Sequence, residues 1–119
     1  MKKMIDPLNN ILPYDGEAYY FPKVFSLEES SEYLNELERN IRWTHDQVTL
    51  FGKTHITKRQ VAWYGDPALS YRYAGHDKKA LPWLPDLLEI KKRVEQLTHQ
   101  TFNSCLLNKY ENGNDSMGW

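Results

Sequence analysis

The chain reads as an α+β protein. Two stretches repeat their apolar residues at helical spacing, while segments rich in Val, Leu, Phe, Trp and Tyr lie between and after them, with Pro and Gly at the joins. The first helix opens at Ser26-Leu27-Glu28-Glu29. This is a capping box, in which the serine oxygen accepts from the amide of Glu29 and the Glu29 side chain reaches back. Leu27, Tyr33, Leu34, Leu37 and Ile41 then form one stripe, which predicts an amphipathic helix over about 27–40. Upstream, residues 8–25 read as extended, punctuated by Pro13, Gly16 and Pro22. Residues 47–51 and 60–64 predict strands, and Gly52 with the polar stretch 53–58 predicts a loop or flexible hairpin between them. Gly65-Asp66-Pro67 is a turn, and 70–74 suits a short strand. Pro82 and Pro85 brace a loop, and Pro85 or Asp86 opens a second helix over about 86–98 with Leu87, Ile90, Val94 and Leu97 on its inner stripe. Residues 102–110 predict a strand that ends in a turn at 111–114.

A length of 119 residues suits one domain, and 13% aromatic residues argues against disorder. The net charge of -1 excludes a globally basic protein, yet its distribution is uneven. Residues 42–79 carry Arg42, Lys53, Lys58, Arg59, Arg72, Lys78 and Lys79 against Asp46, Asp66 and Asp77, with aromatics interleaved. Such a segment suits a phosphate backbone, and equally an ordinary solvated surface. Cys105 is the sole cysteine, so neither an intrachain disulfide nor a thiolate metal cluster is expected. The N-terminus lacks the apolar stretch of a signal peptide, and no run approaches transmembrane length, so a cytoplasmic protein with no membrane partner is the expectation. His45-Asp46 and His76-Asp77 are adjacent pairs without the His-x-Asp spacing that sets two ligands on one strand face, and His55 and His99 have no acidic residue two positions on. No metal site is expected from them. No phosphate loop or nucleophile elbow is present.

Phe51-Gly52-Lys53, Trp63-Tyr64-Gly65-Asp66 and the run Asn108-x-Tyr110-x-x-Gly113-x-Asp115 stand in one register, and together they resemble the AlkB-like alkylation-repair dioxygenases. Leu12-Pro13-Tyr14-Asp15-Gly16 and Tyr20-Phe21-Pro22 resemble the family's opening segment. Phe51-Gly52-Lys53, Arg59, Trp63-Tyr64-Gly65-Asp66 and Tyr71-x-Tyr73-x-Gly75 resemble its nucleotide-recognition lid, here about 43–76. Trp83, Pro85, Leu88 and Phe102-Asn103 are similar to the stretch before its barrel. Asn108, Tyr110, Gly113 and Asp115 match the N-x-Y-x-x-G-x-D run that precedes the iron-binding His-x-Asp pair. The resemblance implies one domain over 1–119, the N-terminal part of a double-stranded β-helix (jelly roll) whose barrel starts at about 102–119, with two helices on an incomplete antiparallel sheet. It also implies Fe(II) and 2-oxoglutarate as the family's cofactors. The oxidant they generate hydroxylates an N-linked alkyl group on a base, which then leaves as an aldehyde.

By this resemblance Asn108 and Tyr110, two residues apart on one strand face, hydrogen-bond 2-oxoglutarate. Tyr73 stacks on a flipped base with Tyr71 nearby, and Phe51 is a wedge that fills the gap left by extrusion. Arg59 sits among the DNA contacts or at the pocket rim. The first iron ligand is expected just after Trp119, so iron binding and turnover are not expected of this chain alone. Read without the family, Tyr71 and Tyr73 suit the core face of a strand and Arg59 is a surface arginine. Asn108 and Tyr110 are then polar positions on a half-buried face. Trp63 and Trp83 read as core. The expected partner is alkylated DNA, with RNA as the alternative. The competing readings are a non-enzymatic nucleic-acid-binding module and one part of a split enzyme completed by a second polypeptide. An apolar strand at 102–110 with open edges predicts marginal stability and a tendency to aggregate.

Overall fold

A computed structural model describes residues 8–67, 69–73 and 76–116, with backbone only over 70–73 and 76–78. The elements run α1 (Leu27–Asn40), β1 (Thr44–Leu50), β2 (Lys53–Gly65), β3 (Ser70–Tyr73), β4 (His76–Lys79), α2 (Pro85–Thr98) and β5 (Ser104–Lys109). The chain divides into two compact units, Met1–Asn35 and Glu36–Trp119. Among the described residues no helix is long and apolar enough to cross a membrane.

The first unit is not simply extended over 8–25. Asn10 closes a loop on itself: its Oδ1 accepts from the amides of Leu12 and Ala18 at 3.0 and 2.9 Å, and its Nδ2 donates to the Gly16 carbonyl at 3.1 Å. An asparagine that supplies both acceptor and donor to nearby backbone replaces a sheet partner there. The capping box forms as the sequence predicts, with Glu29 N donating to Ser26 Oγ and Ser26 N to Glu29 Oε1, both at 3.0 Å. The predicted stripe is only partly buried: Leu27 and Leu34 are exposed, and burial begins at Leu37 and Ile41.

The second unit is built on an antiparallel sheet of order β1-β2-β5 and a separate β3-β4 hairpin. One expectation is corrected here, and one strand goes unpredicted. Residues 53–58 are not a loop but the first half of β2, paired with β1 as far as Leu50↔Lys53. Thr54, Ile56 and Thr57 favour extended backbone, and the stretch is polar because this part of the hairpin is largely exposed to water. The four polar residues of β4 escape pattern reading because they have no apolar alternation, yet Tyr71↔Lys78 and Tyr73↔His76 pair.

Strand alternation gives the sheet two faces. Ala62 and Tyr64 of β2 face the same way as their β5 partners Leu107 and Cys105. With Ile41 and Leu87 they make the core, against which Leu37, Trp43, Leu81, Trp83 and Leu84 pack. Tyr64 is buried, and its hydroxyl accepts from the Arg42 amide at 2.9 Å. Helix α2 starts with Pro85 in its first turn and ends at His99 in left-handed conformation, whose amide donates to the Glu95 carbonyl. Trp83 donates from Nε1 to Asp66. Trp63, by contrast, lies half-buried on the other face with Val61 and Asn108, whereas Trp83 packs against the core as the sequence reading expects.

Candidate functional site

The β1-β2 hairpin ends in the two-residue turn Phe51-Gly52. Both have positive φ, 52° and 77°, as a tight type I′ turn requires. Gly52 adopts this freely, but a bulky aromatic there is strained by about 1–3 kcal/mol. Burial does not offset that strain, since Phe51 is fully exposed at 104%. Leu50 and Lys53 are exposed next to it, and Ile56 and Lys58 are exposed further along β2. The sequence therefore holds apolar groups in water at a strained tip, with Lys53 next to the turn.

About seven residues along β2, roughly 20 Å from the tip, the pairing with β1 breaks. The register slips between His45↔Gln60 and Gln47↔Ile56, so residues 57–59 bulge opposite Asp46. The Thr57 hydroxyl stitches the bulge, accepting from Asp46 N at 3.0 Å and donating to the Arg59 carbonyl at 2.9 Å. A bulge re-aims side chains. Here Arg59 turns inward: Nη2 donates to Asp46 Oδ2 at 3.0 Å, with both side chains about 5% exposed or less. Its Nη1 reaches Asn108 Oδ1 on β5 at 3.4 Å. The expectation of Arg59 as a surface arginine is corrected, because its guanidinium is buried against a carboxylate. Asp46 was not singled out from the sequence. The available signal was that Arg59 shares its strand phase with Val61 and Trp63, so a buried counter-charge had to exist.

Asn108 is half-buried on the face away from the core, and Tyr110 follows the end of β5, 41% exposed. The turn after it is held by Asp115, whose Oδ2 accepts from the Glu111 amide at 3.0 Å, and by Asn112, whose Oδ1 accepts from Asn114 N at 2.8 Å. The first of these bonds accounts for one position of the 108–115 motif run, Asp115, by turn chemistry alone. Of the predicted site residues, the structure brings Arg59 and Asn108 together and leaves Phe51 at the far end of the hairpin. The roles expected of the Tyr71 and Tyr73 side chains, and the motif position Gly75, lie outside the described residues, as does the chain end at Trp119. Among the described residues no three His, Cys, Asp or Glu side chains could hold a metal ion together, so these residues do not fit an iron site. Burial pushes the Cys105 thiol up from its ordinary pKa, which keeps it protonated and unreactive.

Residues 17–119 match the 2OG-Fe(II) oxygenase superfamily. The chain is an AlkB-like member of that superfamily. It is 37% identical over 107 residues to the DNA oxidative demethylase ALKBH2 of Homo sapiens, covering 87% of this chain and 41% of that protein. It is 37% identical over 98 residues to the Bos taurus protein of the same name, covering 80% of this chain and 35% of that one. It is also 34% identical over 100 residues to the alpha-ketoglutarate-dependent dioxygenase alkB homolog 3 of Mus musculus, covering 83% and 34%. The chain thus spans about two fifths or less of the length of these relatives. Membership in a jelly-roll superfamily agrees with the antiparallel sheet and two helices of this AlkB-like chain.

Proposed function

We propose that this chain supplies the DNA-gripping hairpin and part of the 2-oxoglutarate-facing surface of an oxidative demethylase acting on N-alkylated bases in DNA. The observation that carries the reading is Phe51: an aromatic ring at positive φ, fully exposed at the hairpin tip. A free hairpin gains nothing from that arrangement. A duplex does, because a ring inserted into the stack fills the gap left by an extruded base, whose unstacking costs a few kcal/mol. Lys53 and Lys58 supply phosphate contacts, and Tyr71 and Tyr73 stack on the base. Asn108 and Tyr110 hydrogen-bond 2-oxoglutarate; both carry donors suited to its carboxylate and keto oxygens. When bound, Fe(II) and 2-oxoglutarate supply the oxidant that hydroxylates the alkyl group.

The test is fluorescence anisotropy of labelled single-stranded and mismatched DNA at low and at moderate salt. Binding should weaken steeply with salt and by about tenfold or more in Phe51→Ala, with unlabelled RNA of the same sequence as a poorer competitor. No affinity at low ionic strength overturns the reading. The same exposed tip favours a second reading, nucleic-acid binding without turnover. DNA-dependent succinate formation from 2-oxoglutarate separates the two.

A further inference from the structure

We propose that Asp46 and Arg59 are positioning residues that lock the Asn108 amide in one orientation, so that β5 presents a fixed N–H donor to a carboxylate-bearing ligand. The inference rests on the reading of Asn108 as a 2-oxoglutarate contact and deepens it. An asparagine amide has an acceptor end and a donor end that are nearly identical in shape, and which end faces a ligand decides whether an anion is attracted. Arginine has only donors. With Arg59 Nη1 at 3.4 Å from the Asn108 amide, the oxygen must face Arg59, since the flipped amide would set NH2 against guanidinium. The Nδ2 group is thereby turned away from Arg59, and among the described residues no acceptor engages it.

The lock is rigid because each member is held by the next. Asp46 Oδ2 accepts from Arg59 at 3.0 Å, its Oδ1 accepts from the Gln47 amide at 3.0 Å, and the Thr57 hydroxyl fixes the bulge that aims Arg59 inward. Burial of the pair removes competing water and strengthens the polarisation of the amide. A preorganised donor avoids the ordering loss that a free amide would suffer on binding.

The experiment uses the 119-residue chain labelled with 15N and 2-oxoglutarate as the probe. In the wild type the two Asn108 Nδ2 protons should be resolved and slow to exchange, and they should shift on titration. Arg59→Lys keeps the charge beside Asp46 but loses the fork that reaches Asn108. It should make the Asn108 side-chain amide exchange rapidly and weaken 2-oxoglutarate binding by about tenfold, with the circular dichroism unchanged. A folded Arg59→Lys chain with an unaltered Asn108 amide and unaltered affinity overturns the positioning role alone. If Arg59→Lys does not fold, the wild-type signal decides: averaged, fast-exchanging Asn108 protons overturn the proposal and resolved ones support it. A wild-type chain whose Asn108 amide is locked but never moves with 2-oxoglutarate overturns the co-substrate reading instead.

Discussion

Phe51 and Arg59 are each in a conformation that their own type disfavours, one strained in water and the other charged in the interior. At the hairpin tip, asparagine tolerates the left-handed region far better than phenylalanine, and Asn-Gly is the preferred pair for this turn. Phe51→Asn should therefore stabilise the fold by roughly 0.5–1 kcal/mol while weakening DNA binding. A melt and an anisotropy titration on one preparation check both, and a variant that loses stability would refute the strain argument. At the bulge the reasoning runs the other way. Asp46→Ala leaves the Arg59 guanidinium buried without its carboxylate, which costs about 3–5 kcal/mol, enough to unfold much of a marginal chain. Asp46→Ala combined with Arg59→Met should recover most of that loss in denaturant titrations. Phe51 was legible from the sequence because its neighbours form a motif. Asp46 was not, because its partner lies 13 residues away across a register slip that no alternation pattern reveals.

Among the elements, both helices were legible because their punctuation is local. The capping box and Pro85 act within one turn, and the structure forms both where the sequence places them. The strands were less so: β2 is twice as long as its apolar half, and β4 has no apolar residue in an alternating phase. Pairing across a hairpin, not side-chain pattern, decides those spans. The junction of β2 and β5 depends on Gly65, where an added Cβ would lie 2.9 Å from both the Asn103 carbonyl and Ser104 Cβ. Backbone cannot yield there as a flexible side chain would, so Gly65→Ala should destabilise by about 1–3 kcal/mol, read as a lower denaturant midpoint. At the end of α2, the Glu95 carboxylate accepts from the Phe102 amide at 2.9 Å and pairs with Lys91 at 3.1 Å. The backbone hydrogen bond first, and Lys91 second, hold its pKa below the ordinary 4.5. A depressed carboxylate contributes stability above its unfolded pKa and loses it as pH falls through the folded one. The advantage of wild type over Glu95→Gln in melting temperature should thus be constant above about pH 5, shrink below 4.5 and vanish in stronger acid. An advantage that persists at pH 2 would refute the assignment.

Across the described residues the apolar core is small: Ile41, Val61, Ala62, Tyr64 and Leu87 are the buried hydrophobics, and no side chain falls below 2% exposure. Against this, Leu8, Tyr14, Leu27, Phe51 and Ile56 are each more than half exposed. The sheet face that carries Val61, Trp63, Leu106 and Asn108 is the one that holds the candidate co-substrate residues, and Leu106 there is 52% exposed. Each exposed apolar side chain leaves unrealised about 1.5–3 kcal/mol that burial would contribute, whereas ordering the backbone costs roughly 1–2 kcal/mol per residue regardless. The margin of stability left to this chain by itself is therefore small. Two further features push toward association. One is the outer edge of β5, which pairs with no strand among the described residues, and the other is the apolar hairpin tip. The 119-residue chain should consequently melt broadly, bind a hydrophobic dye before it melts, and self-associate in a concentration-dependent way. Leu106→Lys, which charges the exposed position on the edge strand, should reduce that association without removing the helical circular dichroism. Sedimentation of both proteins across a range of concentrations checks this. A monomer with one sharp cooperative transition would mean that the exposed groups find cover, and the argument from the small core would fail.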